Sequence, residues 1–170
     1  MFIQFIKENR YISILLTVLR IYLGWEWLNA GWGKISGNGF NASGFIHGAI
    51  HSVSGDHPAV QPWWGTFLKD VALPSIDVFN VLIPWGEFLV GLALIFGIFT
   101  SFSLLMGLIM NFAYMLSGST STNPQMVILG LFLIMAGMNA GKIGLDRWVM
   151  PRLESFADKN SDRKQSPQSA

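Results

Sequence analysis

Leu19-Arg-Ile-Tyr-Leu-Gly-Trp-Glu-Trp-Leu-Asn-Ala-Gly-Trp-Gly-Lys34 decides the fold of this chain. The stretch continues an apolar run that begins at Ile12, which gives it the length of a membrane-spanning helix. Yet Arg20, Glu26 and Asn29 lie inside the span and Lys34 closes it. A charge at mid-helix costs roughly 2.5–3.5 kcal/mol on insertion scales, and each Leu or Ile returns only about 0.3–0.6. Two central charges therefore cancel most of the apolar gain, and the helix needs protein partners along its polar side. An ionisable residue in such a place is a candidate functional group by default.

At about 100° per residue, Arg20, Gly24, Trp27, Gly31 and Lys34 fall on one narrow stripe. Glu26, Asn29 and Gly33 occupy the adjoining arc, and Ile14, Val18, Ile21, Trp25, Leu28 and Trp32 form the opposite, lipid-facing side. Arg20 and Glu26 point about 120° apart and cannot pair within the helix. Each needs a partner elsewhere, and a buried Arg20–Glu pair is one expectation.

Composition agrees with a membrane protein. Of 170 residues, 51% are hydrophobic and only 12% charged, with mean hydropathy +0.43. Soluble domains carry about 25% charged residues. A net charge of +1 gives no basis for a nucleic-acid partner. Cysteine is absent, which excludes disulfides, thiol relays and Cys-ligated iron–sulfur clusters. The first apolar run ends in Gly-Trp-Gly-Lys rather than a small-residue cleavage site, so no cleaved signal is expected.

The expected fold is an all-α integral membrane four-helix bundle. Its helices run from about Tyr11 to Lys34, Ile76 to Phe96, Phe102 to Leu116 and Pro124 to Asn139. A long connection, Ser36 to Ser75, joins the first two; Ala42 to Val53 and the Pro62–Leu68 stretch are its short helical parts. Gly97, Thr100 and Ser101 supply a stop and a new N-cap between the second and third helices. Residues 1–150 make one transmembrane domain, and 151–170 form a polar, disordered cytoplasmic tail. Lys and Arg cluster before the first helix and after the fourth, which puts both termini in the cytoplasm and the long connection on the outer face.

The second helix repeats the pattern of the first: Asp77, Asn80, Pro84, Glu87 and Gly91 share a stripe. Gly107, Asn111, Tyr114 and Gly118 do the same on the third, and Gly130, Gly137 and Gly141 on the fourth. Small residues on such stripes let membrane helices approach closely. The result is a polar core open to the outer side, with Glu87 as the functional acid and Arg20 in a mainly structural role. Trp25, Trp27 and Trp85 fit interfacial anchors better than ring-stacking partners. His47 and His51 are four apart, a spacing that suits a metal or haem as well as a plain polar loop.

The Arg20…Gly24 start, Asn29-Ala-Gly-Trp-Gly-Lys34, Glu87-Phe-Leu-Val-Gly91, the Gly97 turn and Gly141-Lys-Ile-Gly-Leu-Asp146 together resemble the DoxX/DoxD-like family of bacterial membrane proteins. The resemblance implies an inner-membrane protein related to the DoxD subunit of thiosulfate:quinone oxidoreductase. It implies quinone as cofactor, thiosulfate as donor and a partner redox subunit. Glu87 and Glu26 then pass protons, while Arg20, Lys34, Asn29 and Asn111 bind the anion or the quinone head. The alternatives are a non-enzymatic membrane scaffold that docks a redox or stress-response enzyme and a small-solute transporter; the bilayer and a second copy of the chain in a homo-oligomer are further expected partners.

Overall fold

The computed structural model describes residues 9–37 and 39–153 together with Gln4, Ile6 and Ser155. Among them every regular element is helical. In chain order these are α1 (Arg10–Ser36), α2 (Ser43–His51), α3 (Pro62–Phe67), a π-helical turn (Leu68–Ala72), α4 (Ile76–Phe96), α5 (Thr100–Leu116), α6 (Asn123–Met135) and α7 (Met138–Gly141). Residues 146–153 are helical again. Most of the tail expected over 151–170 lies outside the described residues.

α1 and α4, with 27 and 21 residues, are long and apolar enough to cross a membrane; α5 and α6 are apolar but have 17 and 13. At 1.5 Å per residue α5 reaches about 26 Å, against a hydrocarbon core of about 30 Å. Only 33% and 28% of the most apolar segments of α1 and α4 is buried, so neither is the core helix of a soluble protein. Ile14, Val18, Ile21 and Trp25 on α1, Val78, Val81, Leu82 and Leu89 on α4, and Phe102, Leu105 and Ile109 on α5 are all exposed. An apolar exterior of this extent calls for lipid rather than water.

Inside, the helices meet along the predicted stripes. Arg20, Gly24, Trp27 and Gly31 are buried on α1, and Pro84, Glu87 and Gly91 on α4. Gly24 faces Gly91 and Ile95, while Gly31 faces Phe88 and Pro84, so the two helices run antiparallel with their backbones in contact. A Cβ on Gly31 would strike the Phe88 amide, and one on Gly91 the Leu28 amide. This is the close approach that small residues permit between membrane helices. Leu16, Leu23, Trp27, Leu94, Leu104 and Leu133 form the main core behind it.

Asn9 caps α1, its Oδ1 accepting from the Tyr11 amide at 2.8 Å. The 36–75 connection has its own core, in which Ala42, Ile46, Ala49, Val60, Leu68 and Ala72 are buried and Phe79 and Ile83 of α4 pack against them. Asn80 anchors it, its Oδ1 accepting from the Ala42 amide at 2.8 Å.

Three expectations are corrected. The fourth predicted helix breaks at Gly137, whose φ of 57° and ψ of −132° only glycine adopts readily, so α6 ends at Met135 and α7 is a separate short turn. The α5 N-terminus is not capped by its own Thr100 or Ser101. Asp146, distant in sequence, accepts from the Phe99 amide at 2.6 Å and the Thr100 amide at 2.9 Å. Trp27 is not an interfacial anchor; it is 2% exposed, with its indole against Gly107.

Candidate functional site

Glu87 is the centre of the site. Its side chain is 1% exposed, on the face of α4 that meets α1. Lys34, on the last turn of α1, donates from Nζ to Oε2 at 2.6 Å and to Oε1 at 2.9 Å. The Tyr114 hydroxyl of α5 donates to Oε1 at 2.5 Å. Gly31 makes this possible: by letting α1 touch α4 at Pro84 and Phe88, it brings Lys34 within reach of a carboxylate in the next helix. Lys34–Glu87 is the only salt bridge among the described residues. The expected Arg20–Glu pair is therefore replaced by a Lys34–Glu87 pair.

The pair forms one wall of a polar cavity of about 500 Å³. Glu26, Asn29 and Ala30 of α1 line it, as do Ser119, Ser121 and Thr122 of the α5–α6 turn and Asn123 at the start of α6. Lys34 is 27% exposed toward this space, so the carboxylate is buried while the ammonium reaches solvent. Glu26 is half-buried and has no hydrogen-bond or ion-pair partner among the described residues. The cavity thus holds two carboxylates and one ammonium.

On the other side of Tyr114 lies a second chamber of about 210 Å³ with almost wholly apolar walls. Ile46, Trp64, Leu68, Phe79, Ile83 and Met110 contribute to it. Phe45 and Tyr114 line both spaces, and their rings meet edge-on with centroids 6.0 Å apart. A buried acid hydrogen-bonded to a phenol therefore stands where a polar cavity meets an apolar one.

Of the six residues singled out from the sequence, Glu26, Asn29, Lys34 and Glu87 come together around the polar cavity. Asn111 is buried one turn before Tyr114 on α5, its Oδ1 without a hydrogen-bond partner, and it does not line the cavity.

Arg20 lies in the first half of α1, level with the C-terminal end of α4. Its Nη1 donates to the Ala140 carbonyl at 3.0 Å and its Nη2 to the Ile143 carbonyl at 2.9 Å. These are carbonyls at the end of α7 and just beyond, where a cation is favourable. The chain there folds back over the α4–α5 turn: the Leu145 and Asp146 amides donate to the Phe96 and Gly97 carbonyls at 3.1 and 2.8 Å. His47 and His51 are exposed on α2, and no group of three or more His, Cys, Asp or Glu among the described residues is placed to hold a metal.

Sequence reasoning placed Tyr114 on the polar stripe but gave it no role; its spacing of three from Asn111 was the available signal. The turn at Ser119–Asn123 and the cap by Asp146 carried no such signal. The family model for DoxX matches residues 15–119, from within α1 through α5 and hence the whole Lys34–Glu87–Tyr114 cluster. No curated protein and no solved structure matches the chain. The match spans well over half of the sequence, and with its lipid-facing helices and buried charged cluster this membrane protein belongs to the DoxX family.

Proposed function

We propose that this DoxX-family protein is the membrane subunit of a quinone-linked oxidoreductase, with the quinone head at Tyr114 and Glu87. The carrying observation is the shared wall: the apolar chamber and the polar cavity meet at the Tyr114–Glu87 hydrogen bond. A quinone is apolar except for its two carbonyls, and the chamber offers apolar walls that end at a phenol. When bound, a quinone takes up two electrons and two protons, so its site needs both a proton source and a dry compartment. Glu87 holds a proton or a negative charge at Oε1 and Oε2, with Lys34 offsetting the charge. Tyr114 carries the proton at its hydroxyl between Glu87 and the chamber. Glu26 exchanges protons between the cavity and water, and Asn29 lines that path.

Electrons come from a partner redox subunit, and thiosulfate is the most specific donor the family likeness implies. The donor binds to that partner rather than in this cavity. Arg20 is held by carbonyls at the opposite end, and Lys34 is already neutralised by Glu87. A doubly charged anion would then face Glu26 without an unpaired cation. Four spans, with both termini in the cytoplasm of a bacterial inner membrane, complete the reading; α6 and α7 together provide the fourth.

The test is extraction of the protein from native membranes in mild detergent, followed by solvent extraction of bound quinone and titration with a short-chain quinone. The expected result is retained quinone and saturable binding that Glu87→Gln weakens by about tenfold or more. A well-folded protein that neither retains nor binds quinone would transfer the reading to a scaffold for a redox or stress-response enzyme.

A further inference from the structure

The opposite end of the molecule has a second cationic feature that the quinone reading does not use. A groove of about 480 Å³ runs between the Arg20 end of α1, the C-terminal end of α4 and the segment after α7. Lys142 and Arg147 stand on its rim, both exposed, and neither is in an ion pair among the described residues. Arg20, 1% exposed, contributes a third positive charge to its lining, and its Nε is without a partner. Asp146, whose two oxygens accept from the Phe99 and Thr100 amides, offsets one of these three charges and leaves the groove cationic. The remaining walls are apolar and exposed: Ile21, Phe96, Ile143 and Trp148 are 43–57% accessible.

We propose that this groove binds one anionic phospholipid of the surrounding bilayer. The phosphate lies between Lys142 and Arg147, and an acyl chain lies along Ile21 and Phe96. The argument is charge complementarity joined to an apolar channel. Basic residues at the membrane surface attract anionic lipid, and a basic pocket between helix ends fixes one headgroup. Trp148 belongs at headgroup depth, where indoles are enriched. A zwitterionic lipid offers the same chain but no net charge for the two free cations.

The protein is reconstituted in nanodiscs of phosphatidylcholine, with or without phosphatidylglycerol of the same chains, and its melting temperature is measured. Phosphatidylglycerol should raise it by about 5 °C or more, as expected for a ligand that binds only the folded state. Lys142→Gln with Arg147→Gln should lose at least half of that increment. Arg10→Gln with Arg152→Gln removes the same charge outside the groove and should keep it. Equal melting in both lipids overturns the site, and equal loss in the control pair overturns it in favour of diffuse surface attraction. The same rise from inorganic phosphate in phosphatidylcholine discs overturns the lipid as occupant. If the Lys142/Arg147 variant does not fold, native mass spectrometry of the wild type decides. Phosphatidylglycerol retained over phosphatidylcholine supports the proposal, and no such preference overturns it.

Discussion

The two ends of the α1–α4 pair each bury a charged side chain, and they hold it in opposite ways. Arg20 is gripped by backbone: two carbonyls accept from it, and Gly97 and Gly144 lie against its guanidinium. Glu87 is gripped by side chains, one of them the partly exposed Lys34, beside a cavity. Backbone partners cannot rotate away or change protonation, so the Arg20 end is fixed. Side-chain partners can do both, which is why the Glu87 end is the one proposed to exchange protons and ligands. A buried charge alone does not mark a site; the nature of its partners does.

The largest effect is expected at the fixed end. Arg20→Ala leaves the buried Ala140 carbonyl and the partly buried Ile143 carbonyl without their donor and should cost about 2–5 kcal/mol. Detergent melting checks it, and a variant that melts like wild type would break the contrast. Gly97→Ala comes next, at about 1–3 kcal/mol. Its φ is 64°, and the new methyl would collide with the Arg20 guanidinium. Loss of melting temperature with unchanged quinone affinity in the folded fraction is the expected pattern.

Asp146→Ala removes the cap of α5 and should cost about 1–2 kcal/mol. Because the cap joins the exit segment to the α4–α5 turn, amide exchange of Phe99 and Thr100 should accelerate beyond that of the rest of α5. Uniform exchange along α5 would show that the cap is not local.

The smallest stability changes belong to the other end. Glu87→Gln and Tyr114→Phe should each stay within about 1 kcal/mol of wild type, because Lys34 can turn to the cavity and the phenyl ring keeps its packing. Both should weaken short-chain quinone binding, Glu87→Gln by about tenfold or more, equivalent to about 1.4 kcal/mol. If Glu87→Gln unfolds the protein while Arg20→Ala folds and loses quinone, the two ends have exchanged roles.

What the amino-acid sequence determined by itself was periodic. The spacing of glycines and polar residues along the first and second predicted helices placed Gly24, Gly31, Pro84, Glu87 and Gly91 on the buried faces, since a helix projects its sequence onto a fixed angle. The same arithmetic assigned Ile14, Val18, Ile21 and Trp25 to the lipid side. Hydropathy marked the ends of α4 at Ile76 and Phe96, where Gly97 in the left-handed region stops the helix.

What it did not determine was which polar group meets which. Arg20 is the central cation of the sequence, yet its partners are carbonyls more than a hundred residues away, released by the Gly137 break and the fold-back of 141–146. Lys34 read as the end of a span, yet the Gly31 contact carries it onto Glu87. Partner choice depends on axial register and rotation between helices. Those are set by backbone contact at glycines and by a chain reversal, and periodicity along any one helix contains neither.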